Sequence, residues 1–211
     1  WTKALELDPS FGPALLERAR FYLSALAMGP DQPALRERGE RDLQAARSAR
    51  ELEPAALSQL EGMGALGARE YEKAIPAFRR YTDENTWDAA ALAMQGAAEY
   101  YASRYADAEA TWTRVIALEP TPNNYRARGL VRHGLGKYPD AITDYNLGPA
   151  DATTICDRGA AEQAAGNLDR AIADYSKAVP SARAYNNRGT AHAEKRNYEK
   201  AHADFVEAQK A

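Results

Sequence analysis

One spacing recurs along most of this chain and limits what it can fold into. Taking a glycine as the origin of each copy, an alanine stands at the twelfth position after it and an aromatic residue at the sixteenth. The copies are Gly62, Ala74 and Phe78; Gly96, Ala108 and Trp112; Gly129, Ala141 and Tyr145; Gly159, Ala171 and Tyr175; and Gly189, Ala201 and Phe205. Small residues allow two helices to approach closely, and a ring fills the gap beside them. The spacing therefore predicts a repeated helical hairpin.

The cleanest copy is the stretch Tyr185–Gln209, which has two helix-like segments on either side of a polar turn. A single hairpin of this size cannot bury its apolar face, so several must stack on one another. Helix stops at Pro149 and Pro180 shorten the last two links between copies. Asp151 and Ser181 follow these prolines, and we expect them to be helix N-caps.

The chain resembles the tetratricopeptide repeat family, and the strings Asn186-Asn187-Arg188-Gly189 and Tyr198-Glu199-Lys200-Ala201 are especially similar to its bacterial members. The resemblance covers nearly the whole chain. It implies an all-α, right-handed α-solenoid of about six helix-turn-helix hairpins, and it implies protein or peptide binding without specifying the partner.

We expect a single solenoid domain over residues 1–211. Its predicted parts are a trailing half repeat at 1–9, a long first repeat at 13–54, and repeats at 55–87, 88–121, 122–150, 151–181 and 182–211. The long repeat carries an insertion at the turn Met28–Pro33 and in the helix Arg36–Arg50. Residues 1–7 have the pattern of a helix already under way, so we expect the chain to be part of a larger protein.

Composition excludes several classes of function. The net charge is −3 and basic residues are interleaved with acidic ones, which argues against nucleic-acid binding. No apolar run is long enough for direct membrane insertion. The single cysteine, Cys156, excludes an intramolecular disulfide. A single thiol favours a cytoplasmic over a periplasmic location.

Signals for catalysis are weak, and we expect no enzyme activity, cofactor or metal. His133, His192 and His202 lack a metal-ligand spacing, and no basic residue near Cys156 in sequence marks it as a nucleophile. The string Gly62–Gly67 matches the dinucleotide-binding spacing GxGxxG. That motif requires a preceding strand, whereas the residues before Gly62 have helical character.

Comparing the repeats with one another identifies a set of candidate ion pairs. Arginine directly precedes the glycine in three copies, and aspartate directly precedes the aromatic residue in the same three: Arg128 and Asp144, Arg158 and Asp174, and Arg188 and Asp204. In the other two copies both residue types are replaced together. We interpret the pairs as structural links between helices; the alternative is an arginine ladder that reads an acidic ligand.

The resemblance implies that first helices line a concave groove. The predicted groove residues are Met63, Met94, Tyr100, Tyr101, Arg126, Leu130, His133, Gln163, Asn186 and Asn187. Tyr100 and Tyr101 beside Arg126 and His133 are the favoured single site, because exposed aromatic residues with arginine are typical of binding patches. The alternative is that one tyrosine fills the hairpin core, since Glu99 occupies the neighbouring position.

The sequence thus favours a non-catalytic scaffold that holds a peptide or a partner helix in its groove. An accessory or substrate-recruiting domain of a larger enzyme, such as a bacterial signalling kinase or a transferase, is the alternative. Self-association is a further expectation, because the open ends of a solenoid expose apolar surface.

Overall fold

The computed structural model describes residues 1–28, 32–48 and 53–211, and in these ranges it contains helices and no strands. The thirteen described helices are α1 (Thr2–Leu7), α2 (Gly12–Met28), α3 (Pro33–Arg47), α4 (Pro54–Gly67), α5 (Tyr71–Glu84), α6 (Ala89–Tyr101), α7 (Tyr105–Leu118), α8 (Pro122–Gly134), α9 (Tyr138–Leu147), α10 (Ala152–Ala164), α11 (Leu168–Ala178), α12 (Ala182–Glu194) and α13 (Tyr198–Ala208). From α2 onwards they form antiparallel hairpins in consecutive pairs. The predicted all-α class is therefore confirmed.

Contacts between helices divide the chain into two compact units, Trp1–Leu118 and Glu119–Ala211. The first unit contains α1 and the hairpins α2–α3, α4–α5 and α6–α7. The second contains the hairpins α8–α9, α10–α11 and α12–α13. Within each unit the second helix of a hairpin packs against the first helix of the next, so each hairpin supplies the cover that its neighbour lacks.

The repeated glycines are the points where the two helices of a hairpin touch. A Cβ atom built on Gly62, Gly96, Gly129, Gly159 or Gly189 would lie 2.8 Å from the aromatic ring of the same copy. No side chain larger than hydrogen fits there unless the ring moves. This confirms the prediction that these glycines are contact points, and the rings of Phe78 and Tyr175 are almost fully buried beside them.

Side-chain caps fix the starts of four first helices. Asp88, Thr121, Asp151 and Ser181 each accept a hydrogen bond from the backbone N–H three residues later, at the N-termini of α6, α8, α10 and α12. The predicted caps Asp151 and Ser181 are confirmed. The N–H of Thr154 lies 2.7 Å from Asp151 Oδ1, and this contact lowers the pKa of the Asp151 carboxyl.

The turn inside each hairpin repeats one backbone conformation. The seventh residue after each repeat glycine has a positive φ: Arg69, Ser103, Gly136, Gly166 and Arg196, with φ values of 61°, 61°, 73°, 83° and 61°. The next residue donates its N–H back into the last turn of the first helix, as Arg104 does to the Glu99 carbonyl over 2.8 Å. This Schellman arrangement favours glycine because the left-handed region crowds a Cβ atom.

We expect Ser103→Gly to stabilise the first unit by about 0.5–1 kcal/mol, because relief of left-handed strain exceeds the entropy that glycine adds to the unfolded chain. Gly166→Ala should destabilise the second unit by a similar amount. Urea unfolding of both variants beside the wild type measures the two changes. Equal effects of the same sign would contradict this account of the turn.

Both helices of the first hairpin are long. Helix α2 has 17 residues, whereas α8, α10 and α12 have 13 each. Helix α3 has 15 residues and ends at Arg47, so the predicted extension to Arg50 is not seen within the described residues. The predicted turn at residues 29–31 and the stretch at 49–52 lie outside the described residues.

Candidate binding surface

The three predicted arginine–aspartate pairs lie inside hairpins, where each joins the first helix to the second. Nε and Nη2 of each arginine bind the two carboxylate oxygens of its aspartate. These distances are 2.9 and 2.8 Å for Arg128 and Asp144, 2.7 and 2.7 Å for Arg158 and Asp174, and 2.9 and 2.6 Å for Arg188 and Asp204. All three aspartates are buried. The guanidinium groups therefore satisfy buried carboxylates.

A fourth pair of the same kind was not predicted. Arg18 binds Asp42 through Nε and Nη2, both at 2.7 Å, and links α2 to α3. Arg18 and Asp42 are separated by 24 positions in the sequence, whereas the residues of each predicted pair are separated by 16 positions. The sequence places Arg18 directly before Ala19, which occupies the position of the repeat glycine, so an ion pair of this kind was to be expected. The partner could not be identified from the repeat spacing because this hairpin is longer than the others.

One hairpin without the arginine has a different polar contact. Glu99 is fully buried, and its carboxylate accepts hydrogen bonds from Gln95 at 2.9 Å, Thr111 at 2.7 Å and Arg79 at 3.0 Å. Gln95 in turn accepts from the hydroxyl of Thr82 at 2.7 Å. The sequence pattern singled out Glu99 because it occupies a position where an apolar residue is expected. It did not predict the hydrogen-bond partners of Glu99, which come from three helices.

Arg126 is the predicted groove residue with the most informative surroundings. Its Nε and Nη2 both lie 2.9 Å from Oδ2 of Asp157, and Nη2 of Arg183 lies 2.6 Å from Oδ1 of the same carboxylate. The three residues come from α8, α10 and α12, which are the successive first helices of the second unit. We call them the Arg126–Asp157–Arg183 array. The partners Asp157 and Arg183 were not predicted as a set with Arg126.

Polar residues continue this surface on α10 and α12. Asn187 donates to the sulfur of Cys156 at 3.6 Å, and Asn186 is exposed. Gln163 accepts from the hydroxyl of Tyr175 at 2.9 Å and donates to Glu194 at 2.5 Å. Gln163 and Asn187 thus bind neighbouring helices as well as lying at the surface.

Three predicted groove residues are packed at least partly into the protein. Met63 is 4% exposed and belongs to the core of the first unit, and Met94 packs against that core. For Met63 this corrects the groove assignment, because a buried thioether is not available to a partner. Leu130 packs against the cluster around Tyr145 in the second unit. The residue pattern could not separate inward from buried positions on the same helix face.

Tyr100 and Tyr101 lie in a cluster of four tyrosines in the first unit. The Tyr101 ring is stacked on Tyr71 with centroids 5.2 Å apart, and Tyr100 contacts Tyr101 at 5.4 Å and Tyr105 at 5.7 Å. Tyr101 is 60% exposed, whereas Tyr100 is half-buried. Tyr101 is therefore the tyrosine of this pair that a partner could contact most fully.

Comparisons with known proteins address the fold. Residues 182–211, which form α12 and α13, match a family profile described as tetratricopeptide repeat. The chain has a TM-score of 0.69 to MamA from Desulfovibrio magneticus, at 20% identity over 75% of this chain and 95% of MamA. It has a TM-score of 0.68 to a tetratricopeptide repeat protein from Parabacteroides merdae, at 18% identity over 99% and 83% of the two chains. The chain has the tetratricopeptide repeat fold.

A third similar structure is YrrB, a tetratricopeptide repeat protein with a TM-score of 0.60 and 18% identity, over 79% of this chain and 90% of YrrB. A search of curated proteins found no match. The predicted α-solenoid of tetratricopeptide repeats is confirmed at the level of the fold. Within the described ranges, no helix is both long and apolar enough to cross a bilayer.

The structure also places Cys156 and the string Gly62–Gly67, which the sequence raised as candidates for chemistry. Burial raises the pKa of the Cys156 thiol, which favours its neutral form. The described residues contain no group of three or more His, Cys, Asp and Glu side chains placed to hold a metal ion. The string Gly62–Gly67 lies inside α4, and no strand precedes it among the described residues.

His133 should make the stability of the repeats depend on pH. Burial lowers its pKa below the ordinary value, and the same cause lowers the pKa of His192. The unfolded chain then binds protons at a higher pH than the folded chain. The stabilisation is present above the unfolded pKa of about 6.5 and decreases as pH falls below it.

We therefore expect the free energy of unfolding to fall between pH 7.5 and 5.5, and to fall less in His133→Gln than in the wild type. Urea unfolding at several pH values measures this difference. A steeper decline in His133→Gln would contradict the assignment.

Proposed function

We propose that this chain is a non-catalytic scaffold whose second unit binds an acidic, extended segment of a partner protein. The observation that carries the proposal is the Arg126–Asp157–Arg183 array on the first helices of that unit. YrrB is described as having a peptide-binding site, which supports a binding role for a chain of this fold. The partner is a protein or a peptide, and binding requires no cofactor.

Charge is the first argument for an acidic ligand. Two arginines share one carboxylate, so the array carries one net positive charge. The Asp157 side chain is 2% exposed, whereas those of Arg126 and Arg183 are 31% and 53% exposed. Within the described ranges neither guanidinium has another ion-pair partner. N–H groups therefore remain for a ligand carboxylate, which guanidinium binds with favourable geometry.

Pre-organisation is the second argument. The Asp157 carboxylate holds each arginine by a short hydrogen bond, so less side-chain freedom is lost when a ligand binds. The array also extends across three first helices. Both guanidinium groups bind one carboxylate, so one acidic side chain of a ligand can contact both, and a segment that continues along α12 meets exposed Asn186, whose amide is available to its backbone.

Tyr101 supplies a second contact area, on the first unit. Its exposed ring is supported from one side by Tyr71, and this combination of exposure and rigidity is favourable for an aromatic anchor. We propose that an apolar part of a partner binds there. The two contact areas are tested separately, because each belongs to its own unit.

Fluorescence anisotropy with short labelled peptides tests the acidic preference. We expect the full chain to bind a peptide with two adjacent glutamates at least about tenfold more tightly than its glutamine counterpart, and binding should weaken as salt rises. Arg126→Gln/Arg183→Gln should abolish this preference. Arg114→Gln/Arg170→Gln, at exposed positions on second helices, makes the same change in net charge and should retain it.

Circular dichroism checks that both double variants are as helical as the wild type, because removing both arginines leaves Asp157 buried without a partner. The single variant Arg183→Gln keeps Arg126 beside Asp157 and should show a partial loss of preference. Equal binding of the glutamate and glutamine peptides by the wild type would contradict the proposal. So would an equal loss in the control variant.

A further inference from the structure

A cleft in the first unit opens between two successive second helices. Its walls are the second helices α3 and α5, and its floor is the first helix α4. The volume is about 360 Å³, at the small end of the range for ligand sites. We call it the α3–α5 cleft.

The repeats themselves explain why space is open here. The third residue after the repeat glycine is Glu99, Arg132, Glu162 or His192 in the other four copies, but Ala65 in this one. The fifteenth is Thr111, Asp144, Asp174 or Asp204 in those copies, but Ala77 in this one. Glu99 and Thr111 bind each other at 2.7 Å, and Arg132 and Asp144 at 2.9 Å. Ala65 and Ala77 both line the cleft.

One end of the cleft carries a net positive charge. Glu61 on α4 receives hydrogen bonds from Arg47 on α3 and Arg80 on α5, both at 2.9 Å. Two guanidinium groups from opposite walls share this carboxylate. Their side chains are 47% and 57% exposed, so N–H groups remain for a second carboxylate.

The other end carries a net negative charge. It contains Glu40 on α3 and the pair Glu70 and Lys73, whose Nζ and Oε1 atoms are 2.9 Å apart. Seven residues separate Glu40 from Arg47 on one wall and Lys73 from Arg80 on the other. At 1.5 Å per residue, the two ends are about 10 Å apart along each helix. Leu43 and the two alanines line the space between them.

From the shape and this separation of charge, we propose that the α3–α5 cleft binds a small dipolar aliphatic molecule. Its carboxylate binds at Arg47 and Arg80, its ammonium group binds at Glu40 and Glu70, and its methylene chain lies over Ala65 and Ala77. The site is independent of peptide binding by the second unit. Binding of the dipolar molecule requires both an open cleft floor and oppositely charged cleft ends.

The test is an NMR titration of the isotope-labelled full chain with 6-aminohexanoate, which has ammonium and carboxylate groups at opposite ends of a methylene chain. We expect saturable shifts of the Gly64 and Ala65 amide signals. Hexanoate and hexylamine each carry one charged end, and they should bind at least about fivefold more weakly, as the loss of one exposed ion pair implies.

Two variants locate the site. Ala65→Gln/Ala77→Thr restores side chains like Glu99 and Thr111 and should abolish the shifts by filling the cleft. Arg47→Gln/Arg80→Gln leaves the space open and should weaken 6-aminohexanoate binding without weakening hexylamine binding. This second variant decides the outcome if the filled variant is less helical. No saturable shift in the wild type, equal binding of hexanoate, or unchanged affinity in either variant would overturn the proposal.

Discussion

Replacing Gly159 by alanine should lower the free energy of unfolding by about 2 kcal/mol, from a steric cost of about 3 and a gain in helix propensity of about 1. The added Cβ atom would lie 2.8 Å from the ring of Tyr175, which is 1% exposed. The ring belongs to a buried cluster with residues of α10, α11 and α12, so any movement of the ring disturbs the packing of these helices. The helices must therefore separate.

Gly189→Ala is the matched control for this effect. Its Cβ atom would lie 2.8 Å from the Phe205 ring and 3.2 Å from the Ala201 carbonyl oxygen. Phe205 is 37% exposed on the last described helix and can shift into solvent, so the backbone contact is the main strain that remains. We expect a change below about 1 kcal/mol, because the gain in helix propensity offsets most of the strain.

Amide hydrogen exchange of α10 and α11, combined with urea unfolding, measures both variants, since repeat proteins can open hairpin by hairpin. Equal effects at the two glycines would contradict the account in which burial of the ring decides the cost.

Arg158→Met should destabilise the second unit by about 3 kcal/mol, because it leaves the carboxylate of Asp174 buried without its bidentate partner. The Asp174 side chain is 6% exposed, and the remaining basic contact is Lys177 at 3.4 Å. Lys177 is largely exposed and can compensate only in part.

The double variant Arg158→Met/Asp174→Leu separates an ion-pair effect from a packing effect. It removes the buried charge together with its partner, and we expect it to recover at least half of the lost stability. Urea unfolding of the wild type and of the single and double variants measures these changes in the free energy of unfolding. A double variant less stable than Arg158→Met would show that the pair itself, rather than the isolated charge, determines stability.

The sequence predicted the hairpins well because their contacts are periodic. A glycine and an aromatic residue at the spacing of Gly159 and Tyr175 contact each other inside one hairpin, and this contact does not depend on the adjacent hairpins. Five copies of the same spacing therefore predict the packing of the two helices in each hairpin. The aspartate beside Arg158 was found in the same way, since both partners change together between copies.

Features that depend on a single copy were not predicted. Asp42 lies farther along the chain from Arg18 than the repeat spacing predicts, and Glu99 binds partners from three helices. The contact between Arg126 and Asp157 joins neighbouring hairpins and has no counterpart elsewhere in the sequence pattern. Such contacts depend on how hairpins stack, which the period alone does not specify.

The α3–α5 cleft was not predicted either, although a comparison of the repeats explains it. Ala65 and Ala77 are ordinary as single residues in α4 and α5, because small residues are common in helices. They indicate an open space only when they are compared with the larger side chains at the same positions in the other copies, and when the placement of α3 is known. Comparison between repeats could locate the missing side chains but not the space that they leave.

The most direct test of the scaffold account is an NMR titration that follows the arginine Nε–H signals of the full chain with the acidic peptide described above. We predict saturable shifts for Arg126 and Arg183, smaller shifts with the glutamine peptide, and unchanged signals for Arg158 and Arg188, which lie outside the array and are less exposed. Saturable binding that leaves Arg126 and Arg183 unchanged would contradict the account, as would shifts of equal size with the two peptides.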